Sequence, residues 1–151
     1  MMIKHSGTAL WSGGLKDGNG RISTESGVLD NVQYGFHTRF EGGPGTNPEE
    51  LIGAAHAGCF TMALAAQLSE DGMTAKSLMT TATVTLEKVD EGYTISAVHL
   101  NLVAVIPGAN EQAFEHAALK AKLGCPVSKL LSAHITLDAR LETDTLAHAH
   151  R

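Results

Sequence analysis

Cysteine and positive charge are scarce in this sequence. Its 151 residues include two cysteines, Cys59 and Cys125, too few for a disulfide-rich scaffold and spaced unlike a C-x-x-C redox motif or a zinc site. Eleven basic residues against 16 acidic ones give a formal net charge of −5, and no two lysines or arginines are adjacent. Nucleic-acid binding, which needs a basic surface, is therefore not expected.

A long apolar run and a signal-peptide layout are also missing. The weakly polar run from Leu51 to Leu68 contains His56 and Gln67, so we interpret it as too short and too polar for a bilayer span but suited to a buried core helix. The first residues do not combine a charged stretch with an apolar one. We expect a cytoplasmic protein with no membrane partner, no cofactor and no metal, in which a structural disulfide is disfavoured.

One domain is expected over residues 1–142, because no repeat, low-complexity segment or linker interrupts the chain. Residues 143–151 would form a frayed, flexible tail, whose two histidines are not expected to bind a metal. Glycine-punctuated strands come first, followed by a helix, a hairpin, a second helix and a strand. This order predicts an α+β fold with curved antiparallel sheets around a central Ala-rich helix.

The segment TNPEELIGAAHAGCF predicts the start of that central helix. Asn47 is the candidate N-cap, Pro48 suits the first helical position, and Glu50 completes a capping-box pattern. The helix should stop at Asp71-Gly72. The remaining predicted elements are a hairpin over residues 79–105, a helix over 110–124, a short helix starting at Pro126, and the strand HITLDARLE.

A cation near Cys59 would be needed to activate its thiol. Cys59 lies far beyond the first helical turn, over which the helix dipole acts, so its thiolate needs positive charge from elsewhere. The segment YGFHTRFEG is predicted to be a strand with its aromatic residues on one face and Arg39 on the other. Arg39 is thus the candidate cation.

The second thiol lies where a helix is predicted to begin. Cys125 adjoins the short helix starting at Pro126, so its thiolate would be stabilised locally. The preceding Gly124 leaves the backbone permissive there. We therefore expect this thiol to be available for attack on a partner sulfur.

Five segments together carry a family resemblance: STESGVL, YGFHTRFEG, TNPEELIGAAHAGCF, KVDEGYTI and KAKLGCPVSKLL. In this order and spacing they resemble the OsmC branch of the OsmC/Ohr family, over roughly residues 2–142. The resemblance implies an intertwined α+β homodimer with two active sites at the subunit interface. It also implies a thiol peroxidase that reduces organic hydroperoxides, and hydrogen peroxide less well, to alcohols and water. A dithiol such as a lipoyl group would be the reductant.

The resemblance assigns roles to four residues. Cys59 is similar to the peroxidatic cysteine, which becomes a sulfenic acid, and Cys125 to the resolving cysteine, which condenses with it to a disulfide. Arg39 resembles the arginine that holds the thiolate and the peroxide, and Glu49 the carboxylate that orients it. One helix would separate Glu49 from Cys59 by about 15 Å. Either Arg39 bridges them, or the helix breaks, or a second subunit supplies one of them.

Two other functions remain open. His56 shares a helix face with Cys59, as in a Cys–His hydrolase, but no oxyanion-hole motif accompanies it, and a packed core histidine is the simpler interpretation. Alternatively, the chain is a non-enzymatic protein of the same fold that binds a small hydrophobic ligand or a partner near buried free thiols. In the peroxidase, an apolar pocket lined by Phe60, Met62 and Phe36 would favour hydroperoxides with alkyl or aryl tails.

Overall fold

A computed structural model describes residues 1–143, which fall into two compact units. The first unit is Met1–Leu51 and the second begins at Ile52, so the boundary lies inside a helix rather than in a linker. The single domain expected over residues 1–142 stays a prediction. From residue 144 onward, the predicted tail and its histidines lie outside the described residues.

The first unit is built on an antiparallel sheet of three strands in sequence order: β1 (Gly7–Ser12), β2 (Asn19–Thr24) and β3 (Val32–Tyr34). The first two glycine-punctuated strands predicted for this region are confirmed by β1 and β2, whereas β3 lies mostly before the predicted third strand, YGFHTRFEG. Glycine is required at Gly20, where a β-carbon would collide with the Tyr34 ring and lie 2.7 Å from the Trp11 ring. These two rings pack edge to face, with their centroids 5.6 Å apart.

A short helix, α1 (Phe36–Phe40), follows β3 where the sequence predicts a strand. The Thr38 hydroxyl stabilises the turn, since it donates to the Gly35 carbonyl oxygen at 3.0 Å and accepts from the Gly35 N–H at 2.9 Å. Residues four apart share a face in both a helix and a strand, so the two phenylalanines did not distinguish the alternatives. Arg39 therefore lies on a helix, its guanidinium carbon 5.6 Å from the Phe40 ring centroid, and not on a face free of aromatics.

The central helix, α2 (Pro48–Glu70), begins and ends where the sequence predicts. Asn47 is its N-cap, because its side-chain oxygen accepts a 2.8 Å hydrogen bond from the Glu50 N–H. The Glu50 carboxylate accepts from the Thr46 hydroxyl at 2.7 Å, one residue before the partner that a capping box would give it. Gly72, with φ of 75°, ends the helix.

α2 is longer than the run of residues 51–68, and the interpretation of that run as too short and too polar for a bilayer span was wrong. α2 has 23 residues with a mean hydropathy of 1.4 over its best window, which suffices by length and composition to cross a membrane. This is weak evidence for a span, because the core helix of a soluble protein passes the same test. Here Phe60, Leu64 and Leu68, spaced four residues apart on one face, are buried in the protein core.

The second unit contains a sheet of three strands: β4 (Ser77–Val89), β5 (Gly92–Val105) and β6 (His134–Leu141). The predicted hairpin is confirmed by the antiparallel pairing of β4 and β5, with Asp90 in its turn at φ of 54°. The pairing of β5 with β6 is parallel, whereas the sequence predicts antiparallel sheets throughout. Two helices, α3 (Glu111–Gly124) and α4 (Pro126–Leu130), connect these strands, and a helical crossover of this kind returns the chain in the same direction.

One hydrophobic core joins α2, β5 and α3 in the second unit. Alternate residues of β5 point into it, as the period of a strand requires: Val98, Leu100, Leu102 and Ala104. α3 contributes Phe114 and three alanines, and the Asn110 side chain caps this helix by accepting from the Ala113 N–H at 2.7 Å. Cys125, directly after α3, is a fully buried member of the same core. The α+β class is confirmed.

Candidate active site

The two cysteines, far apart in sequence, meet in the second unit. Their sulfur atoms are 2.9 Å apart, and both are free thiols. Cys59 lies on the partly buried side of α2, while Cys125 is fully buried between α3 and α4. A disulfide bond is about 2.05 Å long. To form a disulfide, the two sulfur atoms therefore need to approach each other only by the difference between these two distances.

The environment of Cys59 acts on its ionisation in two directions. Burial raises the pKa of the Cys59 thiol, and the contact with Cys125 raises it further. A hydrogen bond from the backbone N–H of Val127, in the first turn of α4, acts against this and lowers the pKa. The net shift is upward, so this environment alone favours the neutral thiol.

Arg39 and Glu49 form an ion pair within the first unit. The Arg39 Nε donates to Glu49 Oε1 at 2.6 Å, so α1 and the first turn of α2 are joined by a charged hydrogen bond. The arginine side chain is 38% exposed and the glutamate side chain 11%. Glu49 Oε2 is buried, and no polar group in residues 1–143 pairs with it. The structure thus brings together the two charged residues that the sequence singles out.

The ion pair and the pair of thiols each have one member on α2, which is Glu49 in the ion pair and Cys59 in the pair of thiols. α2 is continuous from Pro48 to Glu70, so the alternative of a broken helix was wrong. A bridging Arg39 and a contribution from a second subunit both stay predictions.

An aromatic cavity of about 160 Å³ adjoins Arg39 in the first unit. Its lining includes Trp11, Leu15, Tyr34, Phe36, Arg39 and Phe40. Phe36 thus lines this cavity, whereas Phe60 is fully buried in the core and Met62 is 77% exposed. An apolar pocket at the thiol that these three residues line together stays a prediction.

His56 is a buried histidine on the core face of α2. Its Nε2 lies 2.8 Å from the Ser128 hydroxyl oxygen on α4, and burial lowers the pKa of the imidazole. Its Nδ1 is buried, and nothing in the described part of the chain hydrogen-bonds to it. The Cys–His hydrolase pair is thus not formed, and the packed core histidine is the correct interpretation. Ser128 was not predicted from the sequence, although it follows Cys125 at the same spacing by which His56 precedes Cys59.

Metal ligands do not assemble in the part of the chain that the structure describes, where no three His, Cys, Asp or Glu side chains come together as a site. Several titratable residues outside the two pairs and His56 form isolated contacts at the surface. His99, for example, contacts Thr136 and Asp138 on the open face of the second sheet. The chemistry available is therefore that of the thiols and of the Arg39–Glu49 pair.

This chain is similar to known proteins over nearly its whole length. Residues 40–140 match the family described as OsmC-like protein. The protein named Peroxiredoxin OsmC from Escherichia coli strain K12 is 53% identical over 143 residues, which cover 95% of this chain and 100% of that protein.

Solved structures of OsmC-like and organic hydroperoxide resistance proteins have a similar fold. An OsmC-like protein from Vibrio cholerae superposes with a TM-score of 0.73 at 17% identity, covering 91% of this chain and 99% of that one, a likeness that shows the fold alone. The organic hydroperoxide resistance protein OhrB of Bacillus subtilis gives a TM-score of 0.66 at 25% identity, over 91% of this chain and 98% of that one. The family match over residues 40–140 and the relative that is 53% identical over 95% of this chain both indicate the same family. The chain belongs to the OsmC family.

Proposed function

We propose that this chain is a two-cysteine thiol peroxidase that reduces organic hydroperoxides, and hydrogen peroxide less well, to alcohols and water. The observation that carries the proposal is the 2.9 Å separation of the sulfur atoms of Cys59 and Cys125. Two core residues with no chemistry to share need not place their sulfur atoms in contact. Membership of a family that includes a relative named as a peroxiredoxin supports the same conclusion.

In the first step Cys59 is the nucleophile. Its thiolate attacks the outer oxygen of the hydroperoxide and the O–O bond breaks. The sulfur becomes a sulfenic acid, and the alkoxide takes up a proton to leave as the alcohol. Cys59 is the more accessible of the two thiols, which supports this assignment over the fully buried Cys125.

In the second step Cys125 resolves the sulfenic acid. Its sulfur bonds to that of Cys59, the S–O bond breaks, and the hydroxyl group leaves as water with the proton of the Cys125 thiol. A dithiol, such as a lipoyl group, would then reduce the disulfide by exchange and restore both thiols.

Arg39 is the proposed cation for the thiolate and the peroxide, and Glu49 orients it. The pair uses the Arg39 Nε, which leaves the other N–H groups of the guanidinium free to bind an oxyanion. Since the surroundings of Cys59 raise its pKa, a cation is required to favour the reactive form. The aromatic cavity beside Arg39 would receive the alkyl or aryl tail of the substrate, each buried CH₂ contributing about 0.8 kcal/mol.

An intertwined homodimer is the proposed assembly. α2 exposes an apolar face opposite its core face, formed by Ala54, Ala55, Met62, Ala65 and Ala66. Small side chains allow a second helix to approach closely, which supports a second copy of the chain as the partner. The net charge of −5 supports the absence of a nucleic-acid partner, and we propose a cytoplasmic location.

The proposal is tested by stopped-flow consumption of cumene hydroperoxide and of hydrogen peroxide by the reduced protein, followed by intact-mass measurement. We expect faster loss of the organic peroxide, together with a mass loss of two hydrogens that Cys59→Ser abolishes. If neither peroxide reacts and both thiols remain titratable, the chain shares the fold without the activity, and binding of a small hydrophobic ligand becomes the function to test.

A further inference from the structure

α4 is a short helix that depends on tertiary contacts. Isolated helices of fewer than about 12 residues are marginal in water, and α4 has five residues, none of them fully buried. Val127 is partly buried against the core, while Pro126, Lys129 and Leu130 are exposed. Yet α4 directs a backbone N–H at Cys59 and follows directly after Cys125. Its position therefore matters for both thiols.

The hydrogen bond between His56 and Ser128 ties α4 to α2. The Nε2 of His56 is 2.8 Å from the Ser128 hydroxyl oxygen, and the histidine is fully buried. Residues three apart lie on one side of a helix, so His56 is next to Cys59 on α2. α2 thus contacts α4 at the His56–Ser128 hydrogen bond and, about one turn away, contacts the residue directly before α4 at the two sulfur atoms.

Packing alone does not explain a histidine at this position. Phe60, Leu64 and Leu68 continue the same buried stripe of α2 at four-residue spacing, and all three are apolar. Burying an imidazole whose Nδ1 has no partner in the described chain costs stability that an apolar side chain would not cost. What the histidine adds is the hydrogen bond to Ser128.

We propose that His56 and Ser128 are positioning residues for resolution. Their hydrogen bond, here called the α2–α4 latch, holds α4 so that Cys125 stays within bonding distance of Cys59 while the sulfenic acid is present. The latch acts through Cys125, whose sulfur forms the S–S bond as the S–O bond breaks and water leaves. Without the latch, the sulfenic acid persists and a second hydroperoxide oxidises it to sulfinic acid, itself being reduced to the alcohol. This inference rests on the proposed function.

The test follows the two steps separately in the full-length protein. Reduced protein is mixed with cumene hydroperoxide, quenched in acid at increasing times, and analysed by intact mass for sulfenic acid, disulfide and sulfinic acid. Ser128→Ala removes the hydroxyl at a partly exposed position, and Ser128→Thr keeps it. Ser132→Ala, the same change at an exposed serine just beyond α4, is the matched control.

We expect Ser128→Ala to slow disulfide formation about tenfold, since a hydrogen bond is worth on the order of the 1.4 kcal/mol that corresponds to a factor of ten. The rate of sulfenic-acid formation should change by less than about threefold, a smaller effect than the loss of that hydrogen bond. Sulfinic acid should increase, and Ser128→Thr and Ser132→Ala should behave as the unmodified chain. In a His56→Gln background, Ser128→Ala should have little additional effect, because the latch is already lost.

Three results would refute either the α2–α4 latch or the proposed peroxidase function on which it rests. An unchanged rate of disulfide formation in Ser128→Ala overturns the inference. So does an equal slowing of both steps, which would mean that the substitution only loosens the fold. Failure of the unmodified chain to form sulfenic acid or disulfide refutes the proposed function itself, and is distinguishable because it precedes any substitution.

Discussion

Replacing Arg39 with alanine should impair peroxide reduction and leave the protein folded. Without the guanidinium, the Cys59 thiolate loses the cation proposed to favour it, so its pKa should rise. The rate constant with cumene hydroperoxide at neutral pH should fall about a hundredfold, the usual effect of removing one preorganised charge-stabilising group. The pH at which the rate reaches half of its maximum should move upward.

The loss of stability can be bounded from the Arg39–Glu49 contact. The hydrogen bond is 2.6 Å long, and the side chains are 38% and 11% exposed. Breaking a fully buried ion pair costs about 3–5 kcal/mol, whereas an exposed pair contributes about 0–1 kcal/mol. Because the carboxylate is buried and the guanidinium partly solvated, we expect a loss of about 1–3 kcal/mol. A typical domain has a free energy of unfolding of about 5–15 kcal/mol, so the variant should remain folded.

A double variant separates stability from catalysis. Arg39→Ala combined with Glu49→Gln removes the unpaired buried carboxylate, so the urea midpoint should recover while the rate stays low. Arg21→Ala, at an exposed arginine on β2, is the matched control and should change neither quantity. Peroxide kinetics in a folded Arg39→Ala variant that match those of the unmodified chain, at every pH, would remove the arginine from the mechanism.

Three further predictions concern single positions. Cys125→Ser should consume one equivalent of peroxide to form the sulfenic acid and a second to oxidise it to the sulfinic acid, which accumulates in place of the disulfide and which intact mass would reveal; a stable disulfide with another partner would contradict the assigned role. Gly53→Ala should lower the unfolding free energy by about 1–2 kcal/mol, because its β-carbon would lie 3.0 Å from the Ala82 carbonyl oxygen on β4. Gly124→Ala, in open surroundings, should be neutral or stabilising in the same urea titration. Burial lowers the pKa of His56, so its contribution to the free energy of unfolding is full above the ordinary histidine pKa of about 6.5 and is lost as the pH falls. In His56→Gln, the free energy of unfolding should therefore decline less steeply between about pH 7 and 5. A decline identical to that of the unmodified chain would refute the reasoning.

The order and limits of most elements could be predicted because local interactions set them. Asn47 and Asn110 cap their helices through bonds to residues three positions away, and the hairpin turn at Asp90 needs only its neighbours. α1 is the exception. Its two phenylalanines are compatible with a strand or a helix, and the hydrogen bonds of Thr38 decided between them.

The candidate site divides in the same way. The family and the reaction class could be predicted from the sequence, since two thiols in specific motifs, with Arg39 and Glu49, carry the resemblance that the family match confirms; the roles assigned to these residues stay predictions. Only the tertiary structure decided that the sulfur atoms of Cys59 and Cys125 lie 2.9 Å apart, that β6 runs parallel to β5, and that the His56 imidazole meets a serine on α4. The physical reason is distance along the chain: caps and turns act over a few residues, whereas these contacts join segments many residues apart, and only the packing of the helices on the sheet brings them together.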